Sequence, residues 1–358
     1  AYRYKHNLKP QLEAKLFAYT DSANTIDVKV KASYEKARKS YEEKSASYGY
    51  QPDQFAYHSL KEALDAKPGD ALYDRLITRN RNYESTDLQQ RGLNISYAWK
   101  HFIGKKGSFT LQGFTNLSGT NEDTHNNRNV EYLREQRNET LWQFYDRSAH
   151  ELETQLGASF DYWLGKKVYF NVFDNVRLSR TRTARNFFSD TDEQNVANGT
   201  PTTADPANTT RRLTHKWTNE LTVKSTITPV KALMIMPKFK WNYSREKANY
   251  HYGPLDTTAV RTSHTYEPSI FLKWKMSRVR NMDLSFAYNT TVPDLVSTLG
   301  YRNTIDPLHI YIGNPLLRNS HSHTTTYNYH RMWLRKQIVL GFTASYNKDI
   351  NPQATLYS

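Results

Sequence analysis

Six very short reversals, each flanked by stretches that alternate apolar and polar residues, constrain this chain more than any other feature. They read YTDSANTI at 19–26, FIGKKGSF at 102–109, YWLGKKVYF at 162–170, TITPVKAL at 226–233, KMSRVRNM at 275–282 and MWLRKQIV at 332–339. From Leu213 to Ile227 one set is Leu213, His215, Trp217, Asn219, Leu221, Val223, Ser225 and Ile227, and the other is Thr214, Lys216, Thr218, Glu220, Thr222, Lys224 and Thr226. Beyond Pro229 the apolar set resumes as Leu233, Ile235, Pro237, Phe239, Trp241 and Tyr243. A period of two is the strand signature, so each reversal predicts a β-hairpin.

Between successive tight turns lie long polar stretches, such as 119–139 and 187–212. Short turns at one end of a sheet and long connections at the other are the layout of an outer-membrane β-barrel. A soluble sandwich also alternates, but its strands average about five or six residues. Several here need ten to sixteen, enough to cross an apolar band of roughly 25 Å at a steep tilt. The fold expected is all-β, a transmembrane antiparallel barrel with about twelve strands present, part of a larger barrel. Trp217 and Trp241 each lie twelve residues from Pro229, which predicts both at one height in an aromatic girdle. Trp99, Trp163 and Trp333 suit the opposite girdle, although Trp163 falls on the polar register.

An apolar content of 37 % fits a wall with one wet face and large loops. No run approaches eighteen apolar residues, which excludes transmembrane helices. Cysteine is absent, which removes disulfides and thiolate metal sites. The net charge of +14 is spread over turns, polar strand faces and loops, not gathered into the patch a nucleic-acid partner needs. It suits anionic lipid head groups or a hydrated lumen. Residues 1–358 read as one barrel domain, with no plug domain recognised and long extracellular loops near 46–85, 119–139, 183–211, 247–263 and 291–322. The loop segment 59–79 differs: its apolar spacing around Pro68 and Gly69 predicts two short helical turns, packed on their neighbours. The ending, 351–358, reads as loop with a last strand still to come.

At 288–329 the chain reads YNTTVPDLVSTLGYRNTIDPLHIYIGNPLLRNSHSHTTTYNY. This resembles the barrel of TonB-dependent outer-membrane transporters, particularly the outer-membrane β-barrel family common in Bacteroidetes. Gly313, Asn314, Pro315 and Leu317 match its G-N-P-x-L motif, a constrained turn that delivers the chain into a strand. Arg318, Asn319 and Ser320 then stand where the family commonly has Lys-Pro-Glu. The resemblance implies a twenty-two-strand barrel in the Gram-negative outer membrane, working as an energy-coupled importer of a scarce solute: a glycan, a peptide or a metal chelate. It implies as partners outer-membrane lipids, a surface lipoprotein over the barrel mouth, TonB through an N-terminal region, and other outer-membrane complex subunits. The alternative is a structural or assembly subunit of such a complex that transports nothing; a third reading, an outer-membrane enzyme, would require a convergent catalytic group on one rim, and a passive porin is a further one.

Residue chemistry points away from catalysis. His321 and His323 share a strand face, with His309 and His330 nearby, but a solvated rim explains them better than a metal site. Asp190, Asp192 and Glu193 lack the ligand order of a calcium loop. No Gly-rich phosphate loop or nucleophile elbow occurs, so no cofactor, metal or catalytic residue is assigned. Asn171, Asn175, Arg177, Lys238, Lys240, Lys273 and Lys275 are expected on the inward face.

Overall fold

In the computed structural model, which describes residues 2–49, 59–253, 255–300, 302–303 and 311–352, the chain is almost wholly antiparallel sheet. The strands are β1 (Tyr2–Leu8), β2 (Gln11–Tyr19), β3 (Asn24–Tyr48), β4 (Leu76–Ile103), β5 (Gly107–Tyr132), β6 (Arg137–Leu164), β7 (Val168–Asp190), β8 (Val196–Ala197), β9 (Thr200–Pro201), β10 (Thr210–Val230), β11 (Leu233–Tyr252), β12 (Leu255–Ser277), β13 (Arg280–Thr291), β14 (Arg302–Asn303), β15 (Tyr311–Ile312), β16 (Ser320–Trp333) and β17 (Ile338–Ile350). Thirteen of them form one sheet, in which each long strand pairs with the next long strand in the chain. β1 and β2 lie end to end along β3. Pro10, which has no N–H to donate, falls at the interruption, and Tyr34 N–H reaches its carbonyl at 3.1 Å.

All six tight turns stand where the sequence places them. Gly104 and Gly165 make theirs with φ of 55° and 69°, a region costly for residues with a Cβ. Among the described residues β17 pairs only with β16, and β1 and β2 only with β3, so the sheet is open.

Burial separates lipid from water. Paired residues on neighbouring antiparallel strands share a face, so the register sorts every side chain. One face carries Leu111, Leu152, Leu156, Phe160, Val172, Leu178, Trp217, Phe239, Tyr266, Ile270 and Phe286, all exposed. The opposite face carries Asn171, Asn175, Thr214, Thr222, Glu246 and Thr265, all buried. A soluble sandwich buries its apolar face; this sheet turns that face outward. On β11 the outward apolar run from Leu233 to Tyr243 is ten residue steps, about 33 Å at ~3.3 Å per residue. At a tilt of about 45° that rises ~23 Å, close to the apolar band of such barrels.

Two expectations are corrected. Ile227 pairs with Ile235 and Val230 with Leu233, with a bulge between. The hairpin therefore folds about Lys231 and not Pro229. Trp217 faces Arg245 while Trp241 faces Leu221, so the two indoles stand four residues apart. They do belong to one aromatic group: Trp217 meets Tyr243 edge-on at 5.5 Å, and His264 stacks on Trp241 at 6.3 Å. Trp163 lies on the polar face beside Tyr169, as its register requires.

The second correction concerns the connections. Much of 119–139 is strand, with β5 running to Tyr132 and β6 starting at Arg137. β11 and β12 likewise run through most of 247–263. The arm at 119–139 carries no sustained apolar stripe, because no apolar band lies along either of its faces. Backbone ladders hold it, with side-chain bonds such as Asn126 Nδ2 to Gln143 Oε1 (3.3 Å) and Asn129 Nδ2 to Thr140 Oγ1 (3.1 Å). In the β3–β4 connection, helix α1 (Leu60–Asp65) starts at a Ser59–Glu62 capping box, and a 3₁₀ turn follows at Tyr73–Arg75. Ala63, Ala66 and Leu76 bury against Ala46 and Leu133, and Arg79 Nε donates to Ala63 O at 2.9 Å. The segment packs on the sheet, as expected.

Candidate lumen-facing site

The polar face carries its charges in pairs fixed by register. Arg177 on β7 reaches Glu153 on β6 at 3.3 Å. Lys240 on β11 lies between Glu220 on β10 (3.5 Å) and Glu267 on β12 (2.9 Å). Glu246 on β11, almost fully buried, receives Arg212 from β10 (3.6 Å) and Arg261 from β12 (3.4 Å). A carboxylate so enclosed is tolerable because two guanidinium groups compensate it.

Glu153, Arg177, Glu220, Glu246, Arg261 and Glu267 from these pairs line a depression of about 730 Å³ that spans β6 to β13. Among its lining residues, Asn175 Oδ1, Asn242 Oδ1, Thr265 Oγ1 and Arg261 Nη1 are buried with no hydrogen-bond partner among the described residues. A buried polar atom left unpaired costs about 1–3 kcal/mol. The lining of the depression includes no histidine; what it offers is fixed charge and hydrogen bonding. Toward the turn end, Asn171 Nδ2 donates to Asp161 Oδ1 at 2.8 Å, and the Tyr169 hydroxyl donates to the same carboxylate. Lys224 and Lys238 share that smaller hollow. Lys273 faces Asp283 and Lys275 faces Asn281. All seven residues expected inward thus lie on the polar face.

After β13 the chain folds back onto this face, a feature sequence reasoning missed. Asp294 pairs with Arg212 at 3.6 Å, and Val296 buries against Tyr250 and Tyr252 with Leu255 and Leu299 alongside. The available signal was the cluster Val292, Leu295, Val296 and Leu299, apolar residues closely spaced at the start of this connection. The motif residues hold the fold-back from its other side. Asn314 N donates to Ser297 O at 2.8 Å, and Asn314 Oδ1 accepts from Leu316 N at 2.9 Å. A Cβ on buried Gly313 would collide with the Leu299 carbonyl. Gly313 has no positive φ, so its role here is close approach and not backbone permissiveness. Pro315 is exposed and Leu317 half-buried.

The other candidates disperse. His321 and His323 face outward in the aromatic group: Nδ1 of His321 lies 2.7 Å from the Tyr288 hydroxyl, and the His323 ring lies 4.8 Å from the Tyr288 ring. His330 lies on the opposite face, and His309 lies outside the described residues. Asp190 organises its own loop, accepting from Thr203 Oγ1 at 2.6 Å and Asp192 N at 2.9 Å.

Residues 246–357 match the outer membrane protein beta-barrel family. No curated protein sequence matches the chain. Among solved structures, the ferric yersiniabactin uptake receptor FyuA from Yersinia pestis aligns at 8 % identity and a TM-score of 0.48, over 96 % of this chain and 53 % of that one. The open form of the ferric-catecholate import receptor Fiu from E. coli K12 aligns at 8 % and 0.45, over 97 % and 58 %. BauA, the ferric preacinetobactin receptor from Acinetobacter baumannii, aligns at 7 % and 0.43, over 99 % and 54 %. The chain spans about half the length of these structures. With the family match and the outward apolar face, the sheet is of the outer-membrane barrel type, located in the Gram-negative outer membrane.

Proposed function

We propose that this chain forms barrel wall of an energy-coupled, TonB-dependent importer of a scarce solute. The observation that carries the reading is the charged inner wall, whose register-paired Arg177, Glu153, Glu220, Glu246, Arg261 and Glu267 line one depression. Such a wall suits a mobile polar filling or a hydrated solute passing over it better than a packed interior. Uptake by the intact protein in cells, with and without energy coupling, tests this against a panel of glycans, peptides and metal chelates. Accumulation should fall at least tenfold when coupling is removed. It should fall comparably in a Glu220→Gln, Lys240→Met, Glu267→Gln variant that still assembles in the membrane.

One observation favours the second reading, a platform within a membrane complex. Asp174 sits in the middle of the outward apolar run of β7, between Val172 and Val176, and accepts a hydrogen bond from Asn219 Nδ2 at 2.9 Å. Charge facing hydrocarbon is unfavourable, and a neighbouring protein would relieve it. Solute binding without energy-dependent uptake would decide for the platform and against the importer.

A further inference from the structure

On the outward face, the apolar band ends at the loop side in a belt of basic side chains. On β4 it ends at Arg91 after Leu93, on β6 at His150 after Leu152, and on β7 at Arg180 and Arg182 after Leu178. On β10 and β11 it ends at His215, Arg245 and Lys247 after Trp217 and Tyr243. The register places these residues on three adjacent rows: Val30 to Thr262, Ala32 to Val260 and Tyr34 to Thr258. Across eight strands those three rows contain no carboxylate.

The contrast with the inner wall is the point. There Arg177, Lys240, Arg212 and Arg261 each have a carboxylate within 3.6 Å. Among the described residues, none of Arg91, Arg180, Arg182, Arg245 and Lys247 has one. Lys and Arg side chains left without a carboxylate at a membrane boundary attract anionic head groups.

The belt also has shape. One depression of about 700 Å³ is bounded by Arg91, His150, Arg180 and Arg182, with Leu117 and Leu152 toward the band. Its floor opens at Gly119, where an added Cβ would come within 3.3 Å of the His150 ring. A second, of about 560 Å³, shares Arg180 and adds His215, Lys247 and Trp217. Guanidinium groups at Arg91, Arg180 and Arg182 suit phosphate oxygens, and the leucines below suit acyl chains.

We propose that this belt is a binding site for a phosphorylated lipid of the outer leaflet, its phosphates on Arg91, Arg180 and Arg182 and its chains along the Leu117–Leu152–Leu178 band. The full-length protein, delipidated in neutral detergent, would be titrated with lipid A, with enzymatically dephosphorylated lipid A, and with inorganic phosphate as competitor. Lipid A should bind at least tenfold more tightly than its dephosphorylated form. Arg180→Gln with Arg182→Gln should remove that preference, as should filling the floor with Gly119→Leu, whereas Lys166→Gln with Lys167→Gln at the opposite edge should leave it intact. Equal binding of the two lipids overturns the proposal. So does equal loss in the Lys166–Lys167 control, which would indicate diffuse charge attraction, or displacement by inorganic phosphate alone, which would assign the site to a free anion.

Discussion

Gly313 shows how a motif can be correct in place and different in purpose. Read as a turn residue, it would owe its identity to backbone freedom; in the fold it is a point of contact where only a hydrogen fits against Leu299. Gly313→Leu should therefore detach the fold-back from β10–β12, at a cost of about 1–3 kcal/mol in line with overpacking elsewhere. Limited proteolysis should show faster cleavage within 292–299, and unchanged cleavage would refute the clamp. The motif could be read from sequence because Gly-Asn-Pro limits the backbone locally. Its partner could not, because Leu299 and Ser297 reach it only through the return of the chain.

At the scale of elements, the alternating segments and basic turns were legible because each strand's two environments are recorded every second residue. The hydrated arms were not, since a ladder with water on both sides imposes no apolar period. The β7–β10 connection is one such arm, and it is pinned by Asp190. The Thr203 hydroxyl, then the Asp192 N–H, hold that carboxyl below its ordinary range. A carboxyl depressed in the folded state contributes stability above its unfolded value, about 3.9, and loses it as pH falls through the lower folded value. The protection of amides across 192–203 relative to their intrinsic exchange rate should be high at neutral pH and fall below about pH 4, and Asp190→Asn should flatten that dependence. An identical acid profile in the variant would remove Asp190 from the account.

For the whole molecule, the decisive property is inverted burial: leucines and aromatics outside, threonines, asparagines and paired charges inside. Asp174 is the exception within the band, and it provides a test. If lipid covers that face, Asp174→Val should stabilise the protein in vesicles by up to about 2 kcal/mol, read from denaturant midpoints. Destabilisation instead, or loss of a co-purifying membrane protein, would place a polar neighbour there. By itself the sequence determined the strands, the tight turns and which residues share a face, because alternation and turn chemistry are local properties of the chain. Only the tertiary structure decided how far the strands extend, which charges neutralise one another and where the connection after β13 lies, because those depend on register between strands and on contacts between segments far apart in sequence.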